Sequence, residues 1–258
     1  MNETPIYSNN KLPVKRILIL SFQLIKQRPV AFIRMGLPLL LFILIFVLSN
    51  FFLDKSINFE FGIIYTIFIL SIFWFTIVMV VVGCHRTFLT NRENIHQIKS
   101  FRWQAREWKF VGWGLIVGFF IAILYWIWGF IIFSLGMIQI GSPLTTAIIF
   151  QVLILPITYL FSRWSLVFPA TALEDPDASI ADAWLLSDEN GWRLTFLIIV
   201  VPFIFDLLFS IVMQPNSLIW SIIMIAIWLV IAVYQIGLLS LSYAFLKGSF
   251  RSDANIEV

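Results

Sequence analysis

Residues 110–162 read FVGWGLIVGFFIAILYWIWGFIIFSLGMIQIGSPLTTAIIFQVLILPITYLFS, a run of 53 without one formal charge. A helix needs about 20 apolar residues to cross the hydrocarbon core of a bilayer, so the run holds two crossings and a turn. The turn is GMIQIGSP (136–143), whose Gly, Ser and Pro punctuate helices. Residues 194–246 repeat the arrangement with Asp206 as their only charge and a turn at MQPNS (213–217). A third apolar block, Met35 to Cys84, is broken by DKSINFE (54–60). The expected fold is therefore an all-α integral membrane protein of six spans, near 35–53, 61–84, 110–135, 144–168, 194–212 and 218–246.

Composition points the same way. Sixty per cent of the residues are hydrophobic and 12% are charged, whereas a soluble domain carries about 25% charged residues. A spanning β-barrel would show short alternating segments, and none recurs along the chain. The N-terminal stretch ILILSF is interrupted by Gln23 and Lys26 and lacks a small-residue cleavage site, so no signal peptide is expected. The lone Cys84 cannot form an internal disulfide. Of the 17 Lys and Arg residues, only Lys55 falls in a turn between the two spans of a pair. Because positively charged loops stay in the cytoplasm, both termini and the loops at 85–109 and 163–193 are expected there.

A repeat is legible within this pattern. Three times a segment too polar to span precedes a hydrophobic pair that ends in a basic residue. Phe22 to Arg86, Phe101 to Arg163 and Trp184 to Lys247 are separated by 64, 62 and 63 residues. This spacing predicts a single membrane domain (1–258) with repeats at 12–87, 90–170 and 175–248, each an interfacial amphipathic helix followed by a transmembrane hairpin. Hairpin length alone could also produce similar spacings.

In the first polar segment, Val14, Ile17, Leu18, Ser21, Phe22 and Ile25 fall on one helical face, and Pro29 ends it. The second carries a capping-box pattern, TNRE (90–93), and a stripe of Ile95, Ile98, Phe101, Ala105 and Trp108. The third lies in LEDPDASIADAWLLSDENGWRLTF (173–196), with six acidic side chains. Either Asp175 caps it with Pro176 at the first helical position, or Ser179 caps it with Asp182, and Gly191 is expected to take the left-handed stop. Helix-terminal acids account for Asp175 and Asp177. Asp188 and Glu189 stand at the opposite end; for the cluster as a whole, capping with a solvated face, pairing with Arg92, Lys99, Arg102 and Arg106 of the second segment, and a cation or partner site are the open readings.

Deep inside the spans polar groups are few. Asp206 lies 13 residues beyond Arg193, and Gln151 and Gln235 lie 12 before Arg163 and Lys247, which puts all three about 18 to 20 Å from the basic flank. Trp74 occupies the matching place before Arg86. These four are the candidate intramembrane polar site, either as glue between helices or as a place for a substrate or proton. Pro38, Gly118 and Pro202 interrupt the odd-numbered spans, as helix breaks do near transporter binding sites.

No catalytic, cofactor-binding or metal-binding constellation is present. His85 and His96 read as solvated loop residues without metal-ligand spacing, and no phosphate-cradling glycine loop or nucleophile elbow occurs. Trp103, Trp108, Trp113, Trp164 and Trp192 are expected at the boundary of the membrane.

The stretch RWSLVFPATALEDPDASIADAWLLSDENGWRLTF (163–196) resembles a pattern in poorly characterised six-span bacterial membrane proteins, including membrane domains attached to some glycerophosphodiester phosphodiesterases. Arg163, Pro169, Ala170, Ala183, Trp184, Gly191, Trp192 and Arg193 carry it. The resemblance implies a bacterial cytoplasmic (inner) membrane protein. This chain lacks the soluble catalytic domain, so no phosphodiesterase activity is implied. An accessory or scaffold role at the inner membrane is expected, with the lipid bilayer and a protein at the cytoplasmic face as partners, no nucleic acid and no cofactor. The alternative is a transporter or channel for a small solute using the layer around Asp206.

Overall fold

The computed structural model describes residues 11–52, 59–90, 103–134, 143–212 and 218–248. Every regular element among them is helical. In chain order they are α1 (Val14–Gln27), α2 (Pro29–Phe52), α3 (Phe59–Leu89), α4 (Ala105–Ser134), α5 (Pro143–Leu153) and α6 (Leu155–Trp164). Then follow α7 (Val167–Ala172), α8 (Ile180–Leu186), α9 (Gly191–Thr195), a π-helical turn (Phe196–Val200), α10 (Val201–Val212) and α11 (Leu218–Leu246).

Among the described residues, five helices are long and apolar enough to cross a membrane, over Pro29–Phe46, Ile64–Leu89, Ala105–Ser134, Gly191–Leu208 and Ile223–Leu246. The stretch expected to form a span at 144–168 is not one helix. Pro156 has no N–H to continue the ladder, and α5 and α6, of 11 and 10 residues, part at Ile154. Ile157 N–H turns to the carbonyl of Ile154 instead, and the carbonyl of Leu153 accepts from the indole Nε1 of Trp128 at 2.6 Å. Trp128 thus satisfies an acceptor beside the break. Trp128→Phe is expected to cost about 1 kcal/mol, the net worth of one such bond, read as a lower unfolding midpoint in micelles.

A second proline acts differently. Ahead of Pro202, Val201 N–H bonds five residues back to Phe196, so the chain widens into the π turn and α9 and α10 stay in one line. Such turns relocate the carbonyls that a proline leaves without donors.

The core lies at one end of the bundle. Ile17 and Leu20 of α1, Leu166, Leu186 of α8, Leu194 of α9, and Leu238, Leu241 and Leu246 of α11 form one buried cluster. Farther along, α3 and α4 expose Ile64, Phe68, Trp126, Phe130 and Phe133, the surface a bilayer would cover. In α1, Ile17, Leu20 and Ser21 are buried while Lys15, Arg16, Lys26 and Gln27 face outward. Arg28 then donates to the carbonyls of Thr87 and Thr90 at 2.6 and 3.0 Å, where α3 has run out of its own donors.

Two expectations are corrected here. His85 is not in a solvated loop: α3 continues to Leu89, and the imidazole is 1% exposed with Nδ1 2.8 Å from Ser240 Oγ of α11. Gly191 is not a left-handed stop. It begins α9, the left-handed residue is Glu189 with φ 59°, and Gly191 is small because a Cβ there would come within 2.5 Å of the Tyr159 hydroxyl. Of the second polar segment, residues 91–102, with Arg92, Ile95, His96, Ile98, Lys99, Phe101 and Arg102, lie outside the described residues, while Ala105 and Trp108 of the expected stripe belong to the first turns of α4.

Candidate functional site

The four intramembrane polar residues are placed on four different helices. Trp74 of α3 is 64% exposed, and Asp206 of α10 is exposed as well, while Gln151 of α5 and Gln235 of α11 are half-buried. No hydrogen bond or ion pair joins any two of them. Phe205, beside Asp206, packs edge-on against Tyr234, beside Gln235, with ring centroids 6.1 Å apart. The aromatic pair, rather than the polar one, meets across α10 and α11.

The bonded polar groups gather instead around α7, α8 and α9. Arg163, at the end of α6, is 5% exposed. Its Nε donates to Ser187 Oγ at 2.8 Å and its Nη2 to the Trp184 carbonyl at 2.6 Å. The guanidinium lies 3.4 Å from the centre of the Trp184 ring, a desolvated cation–π contact. Tyr159, one turn earlier, packs on Trp192 and on Gly191. Arg193 reaches the carbonyl of Leu12 at 3.1 Å, and Asn190 Oδ1 accepts from Leu12 N–H at 2.7 Å. Residues far apart in sequence are stapled to one short segment.

Ser179 is the cap of α8. Its Oγ accepts from Asp182 N–H at 3.0 Å and donates to the Asp182 carboxylate. Asp175 therefore does not cap that helix and instead accepts from the Tyr243 hydroxyl and from Lys247 Nζ, the latter at 2.6 Å. Burial would push the Asp175 carboxyl up, but the bonds from Lys247, Tyr243 and the Asp177 N–H outweigh it and hold the group below its ordinary value. Burial likewise opposes charge on Lys247, and its bond to Asp175 outweighs that and raises it.

Both shifts stabilise the fold between two limits. The Asp175 contribution is in place above the unfolded value near 3.9 and is lost as pH falls through the lower folded value. The Lys247 contribution is in place below about 10.4 and is lost as pH rises through the higher folded value. Asp175→Asn is expected to reduce both losses, measured as the unfolding midpoint in micelles across pH against the unaltered chain.

A further group of charges adjoins a cavity of about 510 Å³ between α4 and the segment after α7. Arg106 and Glu107 open α4 and are almost wholly buried, Nε to Oε1 being 2.7 Å. Glu107 Oε2 also accepts from Gln104 N–H at 2.7 Å, so it caps its own helix. Arg106 Nη1 reaches Glu174 at 3.3 Å. Glu174 has φ 59°. Its N–H and that of Asp175 bond back to Thr171 and Ala170, the pattern of a Schellman ending, where glycine is usual. Glutamate there costs about 1 to 2 kcal/mol, and in exchange its carboxylate reaches Arg106. Below this charged mouth the cavity wall is Trp113 and Ile116.

No family model, curated protein or solved structure matches the chain.

The acidic segment 173–196 is thus mostly structural. Of the four basic partners considered for it, Arg106 pairs with Glu174, while Asp188 is 3.9 Å from Arg163. The buried pair at the start of α4 escaped the sequence reading, although glutamate three residues after Gln104 is half of a capping box. The stacking of Arg163 on Trp184 had no periodic signal. Both residues lie within the stretch 163–196.

Proposed function

We propose that the chain is a non-catalytic, six-span protein of the bacterial cytoplasmic membrane that acts as an accessory or scaffold through its basic end. In this reading α5 and α6 together form the fourth span, kinked at Pro156. The basic end is the cytoplasmic one, since it holds Arg28, Arg106, Arg163, Arg193 and Lys247. The resemblance carried by Arg163, Trp184 and Gly191 fits this assignment, because the pattern then encodes the staple that fixes α8 on the membrane domain.

The observation that carries the proposal is the location of the organised polar surface. The bonded arginines and the cavity with a charged mouth belong to the basic end. Asp206 lines neither this cavity nor the apolar groove between α2 and α11. Next to the staple, α8 exposes Trp184 and Leu185, with Asp188 and Glu189 exposed beyond it. A short helix carrying apolar groups beside acids suits a protein partner better than an anionic lipid surface, which would repel it.

The π turn favours a second reading, a transporter or channel for a small solute. Such turns concentrate at functional sites, and this one lies just ahead of Pro202 and Asp206. Native mass spectrometry of the gently extracted protein and of Asp206→Asn separates the two. Protein subunits retained by both forms support the accessory role. A small molecule present only in the unaltered chain would replace that role with transport.

A further inference from the structure

The cavity beside α4 carries donors left over from the contacts that hold the fold. Arg106 is 6% exposed and spends Nε and Nη1 on Glu107 and Glu174. Among the described residues its Nη2 has no acceptor, and it is not among the polar atoms sealed from the surface. Lys109, one turn later on the same face and exposed, also lines the cavity, without an acceptor among the described residues. Arg106 is almost wholly buried, so its unfilled N–H asks for an anion or water.

The rest of the wall restricts what that anion carries. Gly112 lies one turn beyond Lys109, and a Cβ built on it meets nothing within 4 Å, so the missing side chain leaves space between the charged mouth and Trp113 and Ile116. The ordered sequence along α4 is two cationic donors, a gap, then aromatic and aliphatic surface, at the start of an apolar helix of 30 residues. Glu174, 60% exposed in its side chain, stands at the mouth as an acceptor for a hydroxyl or ammonium group.

We propose that this cavity binds one glycerophospholipid, its phosphate on Lys109 Nζ and Arg106 Nη2 and its glycerol and upper acyl chain along Gly112, Trp113 and Ile116. Two cationic donors on one face of α4 suit a phosphodiester, whose free oxygens accept charge-assisted hydrogen bonds. The apolar wall makes a lipid a better fit than a free phosphate. The site goes beyond the accessory role and does not depend on any protein partner, so loss of either reading leaves the other standing.

The test is native mass spectrometry of the delipidated full chain titrated with phosphatidylglycerol, with diacylglycerol, and with inorganic phosphate. Phosphatidylglycerol is expected to bind one to one, and the other two weakly, because one lacks the phosphate and the other the chain. Lys109→Gln is expected to weaken retention about fivefold, from the roughly 1 kcal/mol that one basic side chain contributes to lipid headgroup attraction. Gly112→Leu starts a side chain where a Cβ meets nothing within 4 Å and replaces glycine by a better helix former, so it should exclude the lipid while the protein stays folded. Equal retention of phosphatidylglycerol by all three forms would overturn the proposal. So would inorganic phosphate or diacylglycerol binding as tightly as the phospholipid.

Discussion

Arg163→Ala is expected to destabilise the fold by about 3 kcal/mol, as charge-assisted bonds contribute about 1.5 to 3 each and a desolvated cation–π contact about 2 without adding fully. The arginine bonds Ser187 and the Trp184 carbonyl while stacking on the Trp184 ring, so α8 loses its principal tie to α6. Ser187 Oγ still bonds the Trp184 carbonyl at 3.1 Å, which keeps the loss below the simple sum. Arg163→Lys should recover only part of it, because an ammonium cannot place two bonds and a flat face at once. Arg163→Met separates packing from bonding by filling the volume without donors. Unfolding in mixed micelles, followed through tryptophan fluorescence, should rank the three as Lys above Met above Ala. Equal midpoints for Ala and the unaltered chain would remove Arg163 from the staple.

Glu107→Ala has a comparable expected effect by another route. The substitution leaves Arg106 buried with only the exposed Glu174 as partner, and removing one member of a buried pair costs about 3 to 5 kcal/mol. It also strips the Gln104 N–H of its acceptor, worth about 1 kcal/mol at a helix start. Because Arg106 Nη2 opens to the cavity, the total should fall near the lower bound, about 3 kcal/mol. Glu174→Gln should cost under about 1 kcal/mol, as exposed pairs do. Replacing both buried partners, Arg106→Met with Glu107→Leu, should restore most of the stability lost in Glu107→Ala, since an apolar pair carries no unpaired charge. A double variant as unstable as the single one would show that the ion pair is not the cause.

The long apolar helices were legible because a helix able to cross hydrocarbon demands a long apolar run, and the gaps between those runs hold the turn residues. Pro29 correctly divides α1 from α2, and Ser179 with Asp182 marks the start of α8. The same logic overlooked Pro156. Hydropathy over 144–168 is uninterrupted, and the break follows from one missing N–H that hydropathy does not register. His85 was misplaced for the opposite reason: a basic neighbour resembles the end of a span, yet α3 carries its polar end into a packed collar. Gly191 illustrates a further limit. Its position after SDEN fits a helix stop, but the deciding contact is with Tyr159, 32 residues earlier in the chain.

The intramembrane layer was inferred from equal distances to basic residues, which fix depth and leave direction around each helix open. Asp206 and Trp74 point outward, so equal depth did not bring them together. The groups that do meet, Arg163 with Trp184 and Asp175 with Lys247, lie 21 and 72 residues apart. Local periodicity carries no information at that range.

A photo-crosslinking amino acid in place of Leu185, which is 56% exposed on α8, and separately in place of Ile204, 46% exposed on α10, tests the accessory role most directly in intact membranes. Discrete protein adducts from position 185, with lipid alone from position 204, are the predicted result. Lipid alone from position 185 together with a solute or protein adduct from position 204 would contradict it and move function to the helix that carries Asp206.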